Sequence, residues 1–200
     1  MIIARLDEGI FADKAELSLL ASYVASEVVK GSKVILVHDG GNLIGRALSD
    51  AGFDYQEQDG VRTITPKAMP TITKVVEGIN DAISDAIKGA LRDSGSVGKV
   101  LQTGTATGSP IVYGKPTGKF DKDCNGELDH VDQRVLGYDI GKADVMIISS
   151  LARFESTNDF GFVNVDATQI AIAVASAMVK SCDVIFTRPQ PSDLEFCAKG

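Results

Sequence analysis

The chain is predicted to be an α/β protein, a three-layer α/β/α sandwich around a mainly parallel sheet, and three observations predict it. Residues 2–6, 33–37, 145–149 and 183–187 are short apolar runs rich in Val and Ile. They lack the polar alternation of a half-exposed strand, so they read as strands covered on both faces. Between them lie stretches with apolar residues at helical spacing. Strand, helix, strand in that order is the parallel crossover unit, and its repetition gives helices on both sides of one sheet. At 200 residues with 44% hydrophobic and 24% charged content, the chain has enough apolar material for one substantial core. No repeat or linker divides it, so a single domain over 1–200 is expected.

Taken in order, Ile2 to Leu6 is a buried strand followed by polar Asp7-Glu8-Gly9. From 14 to 30, Leu17, Leu20, Tyr23, Val24 and Val28 recur at helical spacing. The strand at 33–37 breaks into His38-Asp39-Gly40-Gly41-Asn42, and a helix over 43–51 follows, ended by Gly52. A polar stretch containing Arg62 leads to a long helix over 66–91, striped by Ile72, Val75, Val76, Ile79, Ile83 and Ile87. Residues 95–128, rich in Gly, Thr, Ser and Lys, read as surface β-hairpins. A buried strand at 145–148, another at 162–165, an alanine-rich helix over 167–179 and a last strand at 183–186 complete the pattern. Pro189 and Pro191 stop any further sheet.

Composition removes several function classes. The net charge is −7 and the 20 Lys and Arg are scattered, whereas a nucleic-acid surface concentrates them on one element. No stretch is long and apolar enough to span a bilayer. A strand begins at Met1-Ile2-Ile3 with no secretory pattern, so a cytoplasmic protein is expected. Cys124, Cys182 and Cys197 are odd in number and share no metal or redox spacing; they read as free thiols.

The glycine turn after the second strand carries the chemistry. Paired glycines between a buried strand and a helix expose backbone N–H groups to an anion. The same pair also suits a plain strand-to-helix turn. Arg62 fits either a carboxylate clamp or a solvated strand residue, and Asn164 either a ligand contact or a loop-backbone partner. His38 reads as structural, hydrogen-bonded to nearby backbone. Tyr113, Lys115 and Lys119 read as a solvated face.

In their order, these pieces resemble the amino acid kinase family, within it the branch that phosphorylates N-acetylglutamate. Val37-His38-Asp39-Gly40-Gly41 resembles a Val-His-Gly-Gly-Gly turn, and Asp59-Gly60-Val61-Arg62 a Gly-Leu-Arg signature. Gly126-Glu127-Leu128-Asp129-His130-Val131-Asp132 resembles a Gly-Glu-Val-X-X-Val-Asp stretch, and Val163-Asn164-Val165-Asp166-Ala167-Thr168 an Asn-X-Asn-Ala-Asp segment. The resemblance implies that Gly40 and Gly41 bind the reacting carboxylate of a small acidic amino-acid ligand. It implies Arg62 and Asn164 for the α-carboxylate, and a homodimer through the helix over 68–91. An active member would use ATP and Mg, with Arg5 on the phosphate side.

Departures from the pattern point the other way. The family's first strand carries a lysine before a Gly-Gly turn, where this chain has Arg5-Leu6-Asp7-Glu8-Gly9, and Asp39 replaces the first glycine of the next turn. Phosphoryl transfer depends on positioned cations and backbone donors, so added carboxylates oppose it. Thr103-Gly104-Thr105-Ala106-Thr107-Gly108 lacks the lysine and aspartate of the family's Ser-Gly-Lys-Asp-Gly loop. Most of the family's C-terminal nucleotide lobe is also unmatched. Two expectations follow: a carboxylate-binding relative impaired in phosphoryl transfer, alone or paired with a complete kinase, or an active kinase of an N-acylated acidic amino acid.

Overall fold

A computed structural model describes residues 1–55, 57–58, 61–62, 64–103, 110–118, 123–155, 160–178 and 183–186. Its centre is a five-stranded sheet of β1 (Ile2–Leu6), β2 (Val34–His38), β5 (Val100–Thr103), β8 (Val145–Ser149) and β11 (Asp183–Phe186). The spatial order is β11-β1-β2-β8-β5, and every pairing is parallel. In register, Leu36 lies between Ala4 and Ile147. Alternate residues then face opposite layers. Ile2, Ala4, Leu6, Val34, Leu36 and Ile147 meet α2 (Lys14–Val29) and α4 (Met69–Asp93). Ile3, Ile35, Val37, Met146 and Ile148 meet α5 (Gln133–Lys142) and α6 (Ala167–Ala177). This is the expected three-layer sandwich, and its four predicted strands share the one sheet.

A 3-10 turn at Pro66–Ala68 opens α4, which runs 25 residues. Its stripe of Ile72, Val76, Ile79, Ile83, Ile87 and Leu91 is 5% exposed or less. Each such side chain contributes roughly 1.5–3 kcal/mol of burial free energy. The stripe is therefore consumed inside the monomer, against the sheet, α2 and α3 (Gly41–Asp50).

The segment expected as surface hairpins divides in two. Its start, β5, is an edge of the central sheet, parallel to β8; four residues ending in Gln102-Thr103 are too short and polar to announce a covered strand. Its remainder gives the hairpin of β6 (Val112–Pro116) and β7 (Gly126–Val131). That hairpin joins β9 (Leu151–Glu155) and β10 (Phe160–Asn164) in a second sheet, ordered β10-β9-β6-β7. Gly114 and Gly126 are required there: a Cβ on either would lie 2.6 Å from Val163 Cγ2. Two further elements depart from the reading. Residues 7–9, read as a polar link, lead directly into a short helix, α1 (Glu8–Ala12), and β9 is a strand where none was expected.

In the central sheet, β1, β2 and β8 end at one edge, followed by Asp7, Asp39 and Ser150. Crevices outside the carboxyl ends of parallel strands are where such sheets bind ligands.

Candidate ligand-binding site

A cavity of about 470 Å³ opens at that edge. One wall is the turn from β2 into α3. Gly40 occupies the N-cap position and Gly41 starts the helix with φ +47°, a conformation that glycine adopts without strain. The first helical N–H groups lack intrahelical acceptors and carry the positive end of the helix dipole. Gly41 N–H donates to Asp39 Oδ1 at 3.1 Å, and Asn42 N–H donates to Glu8 Oε2 at 2.7 Å. The predicted anion-binding turn thus holds carboxylates, and they belong to the chain itself. A Cβ at Gly41 would lie 2.6 Å from Glu8 Oε2 and 2.9 Å from Glu8 Cβ.

Arg5, at the end of β1, is an ion-pair partner of Asp7 and lies 3.2 Å from Asp39 Oδ2 through Nη2. All three side chains are less than a third exposed. The cation expected on the phosphate side is bound on this side by two carboxylates, which spread its charge before any ligand arrives.

The opposite wall is β10 and the start of α6. Asn164 Oδ1 accepts from Ser150 Oγ at 3.0 Å, and Asn164 N–H donates to the Cys124 carbonyl at 2.8 Å. Asp166 caps α6 by accepting from Gln169 N–H at 2.9 Å. Beside them, Asp123 Oδ1 accepts from the N–H groups of Ile64 (3.0 Å) and Asn125 (3.1 Å). Gly40, Gly41 and Asn164 therefore line one cavity. Arg62 is placed by its backbone alone, in the two-residue strand β4 (Val61–Arg62) opposite Glu57. Gly104 to Gly108, Lys119, Cys182 and Cys197 lie outside the described residues.

The lining carries four carboxylates, Glu8, Asp39, Asp123 and Asp166, and no Lys or Arg among the described lining residues. Sequence reasoning placed Asp39 and Asp166 near the site and missed Asp123 and the Glu8 contact with Asn42. The run Asp123-Cys124-Asn125 carried a faint signal, since an Asp that accepts its own backbone two residues on is a turn-former. Among the described residues, no group of three His, Cys, Asp or Glu is arranged to hold a metal ion. No described helix is long and apolar enough to cross a membrane.

His38 ends β2 directly below this turn and is fully buried. Its Nδ1 lies 3.0 Å from the Asp39 carbonyl, and its Nε2 lies 2.6 Å from Asn80 Oδ1 on α4. Burial pushes its pKa below 6.5, partly offset by its hydrogen bonds to Asn80 and the Asp39 backbone, so the ring is neutral. A neutral ring has one N–H for two acceptors. Turning the Asn80 amide end for end resolves this: Nδ1–H donates to Asp39, Nε2 accepts, and the otherwise unpartnered Asn80 Nδ2 gains a bond. The structural role expected for His38 is thus a strut from α4 to the cavity turn. Cys124 is buried behind the Asn164 wall, and desolvation first, with Asp123 second, raises its thiol pKa to about 11.

No family model matches the chain. It is 27% identical over 178 residues to the acetylglutamate kinase of Shewanella putrefaciens, covering 88% of this chain and 64% of that one. The Shewanella baltica acetylglutamate kinase is 26% identical over the same extent. The chain thus spans less than two thirds of the length of these relatives. Among solved structures, an N-acetylglutamate synthase from Neisseria gonorrhoeae superposes with a TM-score of 0.72 at 16% identity, over 92% of this chain and 40% of that one. A Streptococcus mutans protein gives 0.70 at 18% identity, over 94% and 72% of the two chains. A Giardia carbamate kinase gives 0.65 at 10% identity, over 92% and 70%. Sequence and architecture agree: the chain resembles acetylglutamate kinases and has the fold of the amino acid kinase family.

Proposed function

We propose that this protein binds a small acidic amino-acid derivative, of the N-acetylglutamate kind, in the cavity between the Gly40-Gly41 turn and Asn164, and that it transfers phosphoryl groups poorly. One observation carries the reading. The glycine turn and Asn164 face a common cavity, while the position expected to guide phosphates is filled by Asp7 and Asp39 around Arg5 and by Glu8 on the Asn42 N–H. A transferring phosphoryl group is anionic throughout and needs cations and N–H donors aimed at it. On this reading Arg62 joins Asn164 in holding the ligand's α-carboxylate, where a bidentate arginine contact is strong. A homodimer through α4 belongs to the same proposal. With the apolar stripe buried, it would use the outer face, where Lys74, Asp81, Asp85 and Lys88 are exposed.

The likeness to acetylglutamate kinases favours a second reading, an active enzyme phosphorylating the side-chain carboxylate of an N-acylated acidic amino acid with Mg-ATP. Calorimetric titration with N-acetylglutamate and with Mg-ATP, beside a coupled ADP-release assay on the same sample, separates the two. Binding of the amino acid without turnover is the expected result. Robust ADP release sensitive to N-acetylglutamate would select the active kinase, and no binding of N-acetylglutamate would remove both. Sedimentation at micromolar concentration tests the dimer.

A further inference from the structure

We propose that Glu8 is a built-in competitor for the ligand: its carboxylate occupies the N-terminus of α3 and must leave before an external carboxylate can bind there. This rests on the reading that the cavity takes a carboxylate-bearing ligand.

Two features of its placement put Glu8 in that role. The first is the 2.7 Å hydrogen bond from Asn42 N–H, which uses a donor at the positive end of a ten-residue helix. The second is steric. Glu8 approaches the Gly41 backbone so closely that any Cβ at position 41 would collide with both its carboxylate and its own Cβ. Close backbone approach, which the glycine pair was expected to allow for a ligand, is here taken by Glu8, from the turn after the neighbouring strand β1.

The same geometry makes the occupancy reversible. Glu8 is the first residue of α1, and α1 is anchored by others: Ile10 is 4% exposed in the core, and the Phe11 ring meets the His38 ring edge-on at 5.8 Å. The Glu8 side chain is only partly buried, on the cavity rim. Rotation of its side chain carries the carboxylate off the Asn42 N–H while its Cβ and α1 stay in place. An external carboxylate therefore competes with an internal one held at high local concentration, and its apparent affinity is lowered by the fraction of time the site is closed.

The test is titration calorimetry with N-acetylglutamate on the unsubstituted chain, Glu8→Gln and Glu8→Ala, with circular dichroism confirming that each is folded. Glu8→Gln removes the charge at nearly constant size, and Glu8→Ala removes the occupant. Both are expected to bind about tenfold more tightly than the unsubstituted chain. Glu8→Asp keeps the charge but is one methylene shorter, and it should fall between. Equal affinity in all forms, or weaker binding in the variants, overturns this inference while leaving the cavity assignment standing. An absence of binding in every folded form overturns both.

Discussion

The turn after β1 and the turn after β2 leave neighbouring strands at the same edge of the sheet, one as Asp7-Glu8-Gly9 and the other as Asp39-Gly40-Gly41. The β2 turn is a donor: its glycines bare backbone N–H groups at a helix start. The β1 turn is an acceptor, supplying Glu8 to Asn42 and Asp7 to Arg5. Asp39 belongs to the donor turn by position and to the acceptor set by charge, since it holds both Gly41 N–H and Arg5. Side by side, the two turns show that a glycine-rich turn is only half of an anion site. What the adjacent strand sends over it decides whether the donors face the cavity or the protein's own carboxylates.

The sharpest way to break this pairing is Gly41→Ala. The left-handed φ and the overlap with Glu8 are expected to cost roughly 2 kcal/mol or more in urea unfolding. In a Glu8→Ala background the overlap with the carboxylate is relieved, while the φ strain and the 2.9 Å approach to the Cβ at position 8 stay, so the cost should fall by about 1 kcal/mol. An unchanged cost would mean that the two turns are not coupled.

Next comes the strut beneath the donor turn. Asn80→Leu leaves the buried His38 Nε2 without a partner and is expected to destabilise by about 1–2 kcal/mol. The same histidine gives a pH dependence whose sign is fixed. Its folded pKa is depressed, so its contribution is fully present above 6.5 and is lost as pH falls from there through the folded value. In His38→Gln the decline below pH 6.5 should flatten. The Asp144 carboxyl acts in a separate window. It is held below 3.8 chiefly by the Lys99 N–H and then by Lys33, so its contribution is lost only at more acid pH.

Arg5→Met tests the acceptor turn. It leaves Asp7 and Asp39 facing each other without the cation between them, and a loss of about 1 kcal/mol is expected, shrinking as salt screens the carboxylates. Asp166→Ala sharpens the comparison from outside, because Asp166 lines the same cavity but only caps its own helix. A loss of about 0.5–1 kcal/mol is expected, with no change in the coupling between Gly41 and Glu8.

Legibility followed burial. Three of the strands predicted for the central sheet, β1, β2 and β8, are continuous apolar runs because both faces are covered, and α4 shows its stripe because one face is. β9 was missed since Leu151-Ala152-Arg153-Phe154-Glu155 mixes buried and exposed positions over only five residues. β5 was assigned to the surface because an edge strand shows water one side. At the site, the glycine turn and Asn164 were visible as local patterns. The contact from Glu8 to Asn42 was not, because it joins two turns through the register of β1 on β2, and no spacing within either turn records that register. Asp7, Glu8 and Asp39 were legible as misplaced charges, but not Asp7 and Asp39 as a pair closed around Arg5.

One buried group gives this protein an internal clock. The Cys124 thiol lies behind the wall that Asn164 forms, with its carbonyl bonded to Asn164 N–H and its N–H to Ile64. With a pKa near 11 and no exposed surface, it is both protonated and out of reach of an alkylating reagent at pH 8. Its reaction must wait for the wall to part. In a Cys182→Ser, Cys197→Ser background, the alkylation rate of this single thiol would count openings of the cavity's far side, and a ligand that bridges Asn164 to the glycine turn would slow the count.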